Sequence, residues 1–204
     1  MSAEIIPFNP LDKTSLGSSV ADALLARPAQ PLGELGRFHG AGVYAIYYCG
    51  KFKPYAALTA INTADEVRMP IYVGKAVPAG ARKGGVLDAK PGRVLFNRLV
   101  EHAESIMATD NLDATDFHCR FLVVDDIWIP LGESLLIARF SPIWNSLIDG
   151  FGNHDPGGGR YSGIRPRWDV LHPGRRWAEK CRERKESARD IERDVVSFLA
   201  NVLG

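Results

Sequence analysis

With 204 residues, 46% of them hydrophobic, the chain can bury a full core and fits one domain with extensions better than two complete domains. Lys and Arg number 25 against 24 Asp and Glu, a formal net charge of +1. Bulk charge therefore gives no argument for a polyanionic partner, and any such argument rests on where the charges sit. No apolar run approaches the roughly 18 residues of a membrane span. Residues 1–10 lack the basic-then-apolar pattern of a secretory leader, so a cytoplasmic location without membrane attachment is expected. Cys49, Cys119 and Cys181 are odd in number and far apart. They read as reduced structural thiols, and no pair has the spacing of a zinc site.

In chain order, Leu16, Val20 and Leu24 fall at helical spacing before Pro28 and Pro31, which predicts a short amphipathic helix in an N-terminal arm over 1–40. Residues 42–49 (GVYAIYYC) form an aromatic and branched run with a strong strand signal, and 70–73 (PIYV) reads as its partner. The connection between them, 50–69, reads as an insert. Residues 78–93 are Gly- and Pro-rich and carry Arg82, Lys83, Lys90 and Arg93. A helix is predicted over 94–107, with Leu95, Leu99, Ala103 and Ile106 as its buried stripe and Arg98 and His102 on a different face. Residues 116–124 read as a third strand and 131–140 as a second helix, stopped by Pro142. A loop over 150–163 follows. A long final helix is expected from the spacing of Trp177, Cys181, Ala188, Ile191, Val195, Phe198 and Val202.

Five features stand in order: Gly42-Val43-Tyr44 on one strand, Tyr72-Val73-Gly74 on the next, Arg98 with His102 on a helix, Glu133 opening another helix, and Asn145 shortly after. Each alone is a poor signal, since buried tyrosines, solvated helix charges and turn asparagines are common. The ordered set resembles the GIY-YIG nuclease superfamily. The His after the Arg, the Trp144-Asn145 pair, the long spacer of 27 residues between Tyr44 and Tyr72, and the run GFGNHDPG narrow the resemblance to type II restriction endonucleases of the Eco-29k group. It spans about 42–145 and extends weakly to RPRWDVLHPGR.

The resemblance implies Mg²⁺-dependent (or Mn²⁺-dependent) cutting of double-stranded DNA at a short GC-rich palindrome, CCGCGG. It also implies a homodimer and a cognate DNA methyltransferase as a genetic rather than physical partner. By resemblance, Tyr44 activates the water. The residues themselves leave Tyr44 and His102 both open as the base, because a free phenol titrates near pH 10 whereas an imidazole titrates near neutrality. Tyr72 would orient water or phosphate, and Arg98 can grip two phosphate oxygens. Glu133, a lone carboxylate, suits a magnesium ion that keeps most of its water. Asn145 fixes neighbouring groups or binds a phosphate oxygen. Lys75 is a further phosphate-binding candidate.

Residues 160–185 hold nine Arg and Lys against three acids, the kind of stripe that neutralises duplex phosphates. Arg160, Arg165 and Arg167 there, with Arg82 and Lys83 in the earlier loop, are the candidate DNA contacts. His39 and His118 read as structural, and His154 and His172 as loop residues. The expected architecture is a single α/β (α+β) domain. A three-stranded, mainly antiparallel sheet is flanked by helices, with the N-terminal arm (1–40), a catalytic core (41–146) containing the insert, and a C-terminal extension (147–204) of Gly-rich loop, basic segment and helix. Two rivals remain: another GIY-YIG nuclease of mobile-element or repair type, and a sequence-specific DNA-binding protein that has lost catalysis.

Overall fold

The computed structural model describes residues 9, 12–63, 65–78, 91–155, 157 and 161–204. Helix α1 (Lys13–Leu25) starts at Asp12, whose carboxylate accepts from the Ser15 backbone N–H. The strands are β1 (Gln30–Pro31), β2 (Gly42–Tyr48), β3 (Tyr72–Ala76) and β4 (Phe117–Val123). They form one antiparallel sheet in the order β1-β4-β2-β3. The three expected strands are its body, and the two-residue β1 adds a short edge that the sequence did not announce. Strand β3 also lies further along the chain than the apolar run suggested. Pro70 and Ile71 lead into it, and pairing runs on through Gly74 to Ala76.

The sheet is buried on both faces, which is why β2 shows no alternation of apolar and polar residues. Every residue of β2 is buried. Val43, Ala45 and Tyr47 face a layer made by α1 and α4 (Ile129–Phe140), with Val20, Leu24, Ile129 and Leu136 beneath them. Tyr44, Ile46 and Tyr48 face the larger core. That core is covered by α3 (Val94–Met107), whose bounds match the sequence expectation, by short helices α5 (Ile143–Ser146) and α6 (Arg167–Leu171), and by the final helix α8 (Ala188–Leu203). Between β2 and β3 the spacer folds into a short helix α2 (Ala56–Thr59) preceded by a 3-10 turn, and both pack against α8. No helix among the described residues is long and apolar enough to cross a membrane.

The expected helix from Trp177 onward is two helices. Helix α7 (Arg176–Glu179) ends after one turn. The next residues leave helical geometry because their backbone pairs elsewhere: Arg165 N–H donates to Arg182 O, and Arg182 N–H donates to Gly163 O. Helix α8 then restarts at Ser187, whose hydroxyl and Asp190 form a reciprocal capping box that satisfies two otherwise unpaired N–H groups. Its buried side is Ile191, Val195 and Leu199, and Val202 is exposed. Ser187→Ala is therefore expected to lower stability by about 1 kcal/mol, read from denaturant midpoints. A helix running unbroken through position 187 would show no loss.

Candidate active site

The site grows from the pairing of β2 and β3. Tyr44 stands opposite Gly74. A Cβ at position 74 would meet the Tyr44 hydroxyl at 2.4 Å, so the third residue of the YVG triplet is glycine because the Tyr44 ring lies across it. Tyr72 sits on the same face, two residues earlier, its ring centroid 6.2 Å from that of Tyr44. Helix α3 carries Arg98 and His102 one turn apart, towards both rings. His102 is not on a solvated face of α3; it is buried with the apolar stripe.

The Tyr44 hydroxyl shares a 2.6 Å hydrogen bond with His102 Nε2. The imidazole stacks on Phe151, centroids 4.5 Å apart and 17° from parallel, and meets Tyr72 edge-on. Burial, reinforced by the charge of Arg98, holds His102 well below its ordinary pKa, so the ring is neutral at physiological pH. Burial, then the neighbouring Tyr72, pushes Tyr44 up despite the opposing charge of Arg98, so its phenol keeps its proton at rest. The charge of Arg98 acts on the Tyr44 hydroxyl. Which of the two groups donates in the Tyr44–His102 bond follows the tautomer of the neutral ring: with Nε2 unprotonated, the Tyr44 hydroxyl donates to it. Tyr44 is sealed from solvent, whereas Tyr72 and Arg98 are partly open.

A short segment covers these groups from above. Arg98 Nη2 donates to Gly152 O at 2.8 Å, and Nη1 donates to Glu101 at 3.1 Å and contacts the His154 ring. A Cβ at Gly152 would stand 2.8 Å from the Tyr72 hydroxyl, so only glycine lets the segment lie this close. On the far side of β3, Glu133 reaches from α4 to Lys75, with Nζ 2.5 Å from the carboxylate. The Glu133 charge is felt by both Tyr44 and Tyr72. No cluster of three His, Cys, Asp or Glu side chains suited to a metal occurs among the described residues. The donor chemistry of Glu133 fits a hard divalent cation that takes one carboxylate from the protein and the rest from phosphate and water.

Asn145 bonds backbone. Its Oδ1 accepts from Val73 N–H and its Nδ2 donates to Val73 O, both at 2.8 Å, while Trp144 N–H donates to Ile71 O. Asn145 thus acts as a one-residue neighbouring strand that fixes the edge of β3 and caps its exposed ladder. Arg165 spends its guanidinium on Ala178 O and Glu179 O. Arg167 spends its own on Leu147 O, Glu186 and Asp194. Arg82, Lys83 and Arg160 lie outside the described residues.

His172 lies in the loop just after α6 and is fully buried, in a chain whose direction is fixed by an acceptor-only end. Its Nδ1 donates to Asn111 Oδ1 at 2.9 Å, the Asn111 amide nitrogen being bonded to Leu171 O. Nε2 of the neutral ring therefore accepts the Tyr55 proton at 2.7 Å, and Trp144 Nε1 donates to the Tyr55 hydroxyl at 2.8 Å. The residues that sequence reasoning missed are Tyr55, Phe151, Gly152 and the groups behind them. The available signals were the GFG run and the RPRWDVLHPGR segment.

The model of the Eco29kI GIY-YIG domain matches residues 36–199. The chain belongs to that family. It is a restriction-type GIY-YIG nuclease. No individual curated protein matches the sequence.

Both buried imidazoles set a pH dependence. Burial lowers His102 well below 6.5 and His172 to about 3. Above pH 6.5 both are neutral whether folded or unfolded. As pH falls below 6.5 the unfolded chain protonates them and the folded one does not, so stability drops. Each contributes a slope approaching 1.4 kcal/mol per pH unit. Urea titrations at pH 7, 6 and 5 are expected to show this loss, with His172→Gln removing about one proton of the slope. A stability flat from pH 7 to 5 would contradict neutral buried rings.

Proposed function

We propose that the protein is a type II restriction endonuclease that hydrolyses both strands of a short palindromic duplex with Mg²⁺ or Mn²⁺. The family resemblance favours a GC-rich site, CCGCGG. The observation that carries this reading is the sealed Tyr44–His102 pair with Tyr72 and Arg98 at its open side. Phosphodiester hydrolysis needs a water relieved of a proton and a phosphate whose added charge is neutralised. In this reading the water gives a proton to the Tyr44 hydroxyl as its oxygen bonds to phosphorus and the opposite ester P–O bond breaks, the departing oxygen taking a proton from solvent. Tyr44 passes its own proton to His102 Nε2, and the neutral imidazole is the sink. Arg98, held at Gly152 O, keeps a permanent charge beside the phosphate. Glu133 would hold the divalent cation, which when bound supplies charge neutralisation at the scissile phosphate.

Lys75, Arg82, Lys83 and Arg160 are the proposed DNA contacts. Arg165 and Arg167 are already engaged within the chain, which favours a structural share for both. Two strand cuts in a palindrome call for two sites, so a twofold homodimer is proposed. The setting is cytoplasmic defence of a host whose own DNA a methyltransferase protects.

The test is incubation of the protein with unmethylated plasmid in Mg²⁺ or in EDTA. Discrete fragments in Mg²⁺ alone are expected. Glu133→Ala should lose cutting by at least ~100-fold and keep DNA binding. A smear, or fragments that persist in EDTA, would contradict the proposal.

A further inference from the structure

Behind the site lies a buried ion pair that the reaction as described does not use. Asp169 and Arg175 are six residues apart, with side chains 2% and 4% exposed. Arg175 Nε and Nη2 donate to the two carboxylate oxygens of Asp169, each at 2.7 Å. The guanidinium lies between two indoles, 4.3 Å from the Trp168 ring and 4.8 Å from that of Trp177. Its remaining donors leave the pair and take backbone carbonyls: Gly150 O at 2.8 Å, Phe151 O at 3.2 Å and Asn153 O at 3.2 Å. A buried charge pair is costly to desolvate and is a weak source of stability, so what it orders deserves an explanation of its own.

What it orders is the segment covering the site. The three carbonyls bracket Gly152, whose own carbonyl points the other way and accepts from Arg98. Phe151 leaves the same turn to stack on His102 and to meet Tyr72 edge-on, centroids 5.0 Å apart. The turn thus has two sides. One is fixed on Arg175, and the other sets the positions of Arg98 and His102.

We propose that Arg175 and Asp169 are positioning residues for DNA cleavage, their ion pair holding the 150–153 turn so that Gly152 O fixes the Arg98 guanidinium and Phe151 fixes the His102 ring. The proposal rests on the nuclease reading for its activity and on geometry alone for its effect on His102. The groups facing that ring are Tyr44 and Tyr72 from the sheet, Arg98 from its own helix, and His154 and Arg175 from the covering segment and behind it.

The test uses the whole protein carrying Arg175→Lys, which keeps the charge but not the five-donor fork. Two measurements are made: single-turnover cleavage beside DNA affinity, and the titration of His102 by NMR, its signal assigned by its loss in His102→Gln. Misplacing a reacting group by about 1 Å costs on the order of 100-fold. The cleavage rate is expected to fall by about that factor while affinity changes by less than about threefold. The His102 titration, held well below the ordinary imidazole range in the parent, is expected to rise towards that range as the turn loosens and water enters. If Arg175→Lys does not fold, Gly152→Ala leaves the clamp intact and pushes the turn off Tyr72 and Arg98. It is expected to lower the rate with an unchanged melting temperature. Folded variants with parental cleavage and an unshifted His102 would overturn the proposal, as would a rate loss that only follows the loss of folded protein. If the parent itself cuts no DNA, the nuclease reading fails and the His102 titration still decides the clamp.

Discussion

The site depends on one hydrogen bond made out of reach of water, between the Tyr44 hydroxyl and His102 Nε2. Two polar side chains placed in an apolar core each cost about 1–3 kcal/mol if left unpaired. The bond removes that cost only if a strand and a helix far apart in sequence are held to within a few tenths of an ångström. Much of the local sequence follows from this demand. Gly74 leaves room for the Tyr44 ring, Asn145 fixes the edge of the strand that carries Gly74, and Phe151 closes the pocket over the imidazole.

Two such buried Tyr–His pairs stand among the described residues, and they differ in what surrounds them. In the pair of Tyr55 and His172, a donor-only indole stands at one end and an amide oxygen at the other. Every proton there has a fixed place and none has anywhere to go. That chain ties the insert, α5 and the segment after α6 into one core. The pair of Tyr44 and His102 instead runs towards Tyr72 and Arg98, which are partly open to solvent. It therefore has a neutral ring at its inner end and partly exposed polar groups beside its outer one. Burial makes both imidazoles poor bases at rest, and the proposed reaction uses only the second pair.

What the sequence disclosed was what local patterns can carry. The 3.6-residue period of 94–107 set α3 within its observed bounds, and the triplets and the Arg, His and Glu that follow stood in a recognisable order. Burial of β2 on both faces removed the alternation that would have told its two sides apart. The apolar run at 70–73 pointed to β3 too early, because its later half is held by pairing at Gly74 to Ala76. The basic stretch at 160–185 read as a phosphate-binding stripe. Arg165, Arg167, Arg175 and Arg184 instead donate to carbonyls and carboxylates of irregular chain, where no regular ladder satisfies the backbone. Those partners lie up to 27 residues away along the chain, and no periodicity signals them. The break in the final helix has no local signal for a similar reason, since the pairing of Arg182 with 163–165 competes with helix at a distance.

In the proposed reaction the Tyr44 hydroxyl carries the proton between the attacking water and His102. The most direct test is the single-turnover cleavage rate of Tyr44→Phe, which removes one oxygen and keeps the ring that fills the space beside Gly74. A rate reduced by at least about 100-fold, with DNA affinity and melting temperature held, is what this account predicts. Cleavage at the parental rate would show that the proton leaves by another route and that the buried pair is part of the core alone.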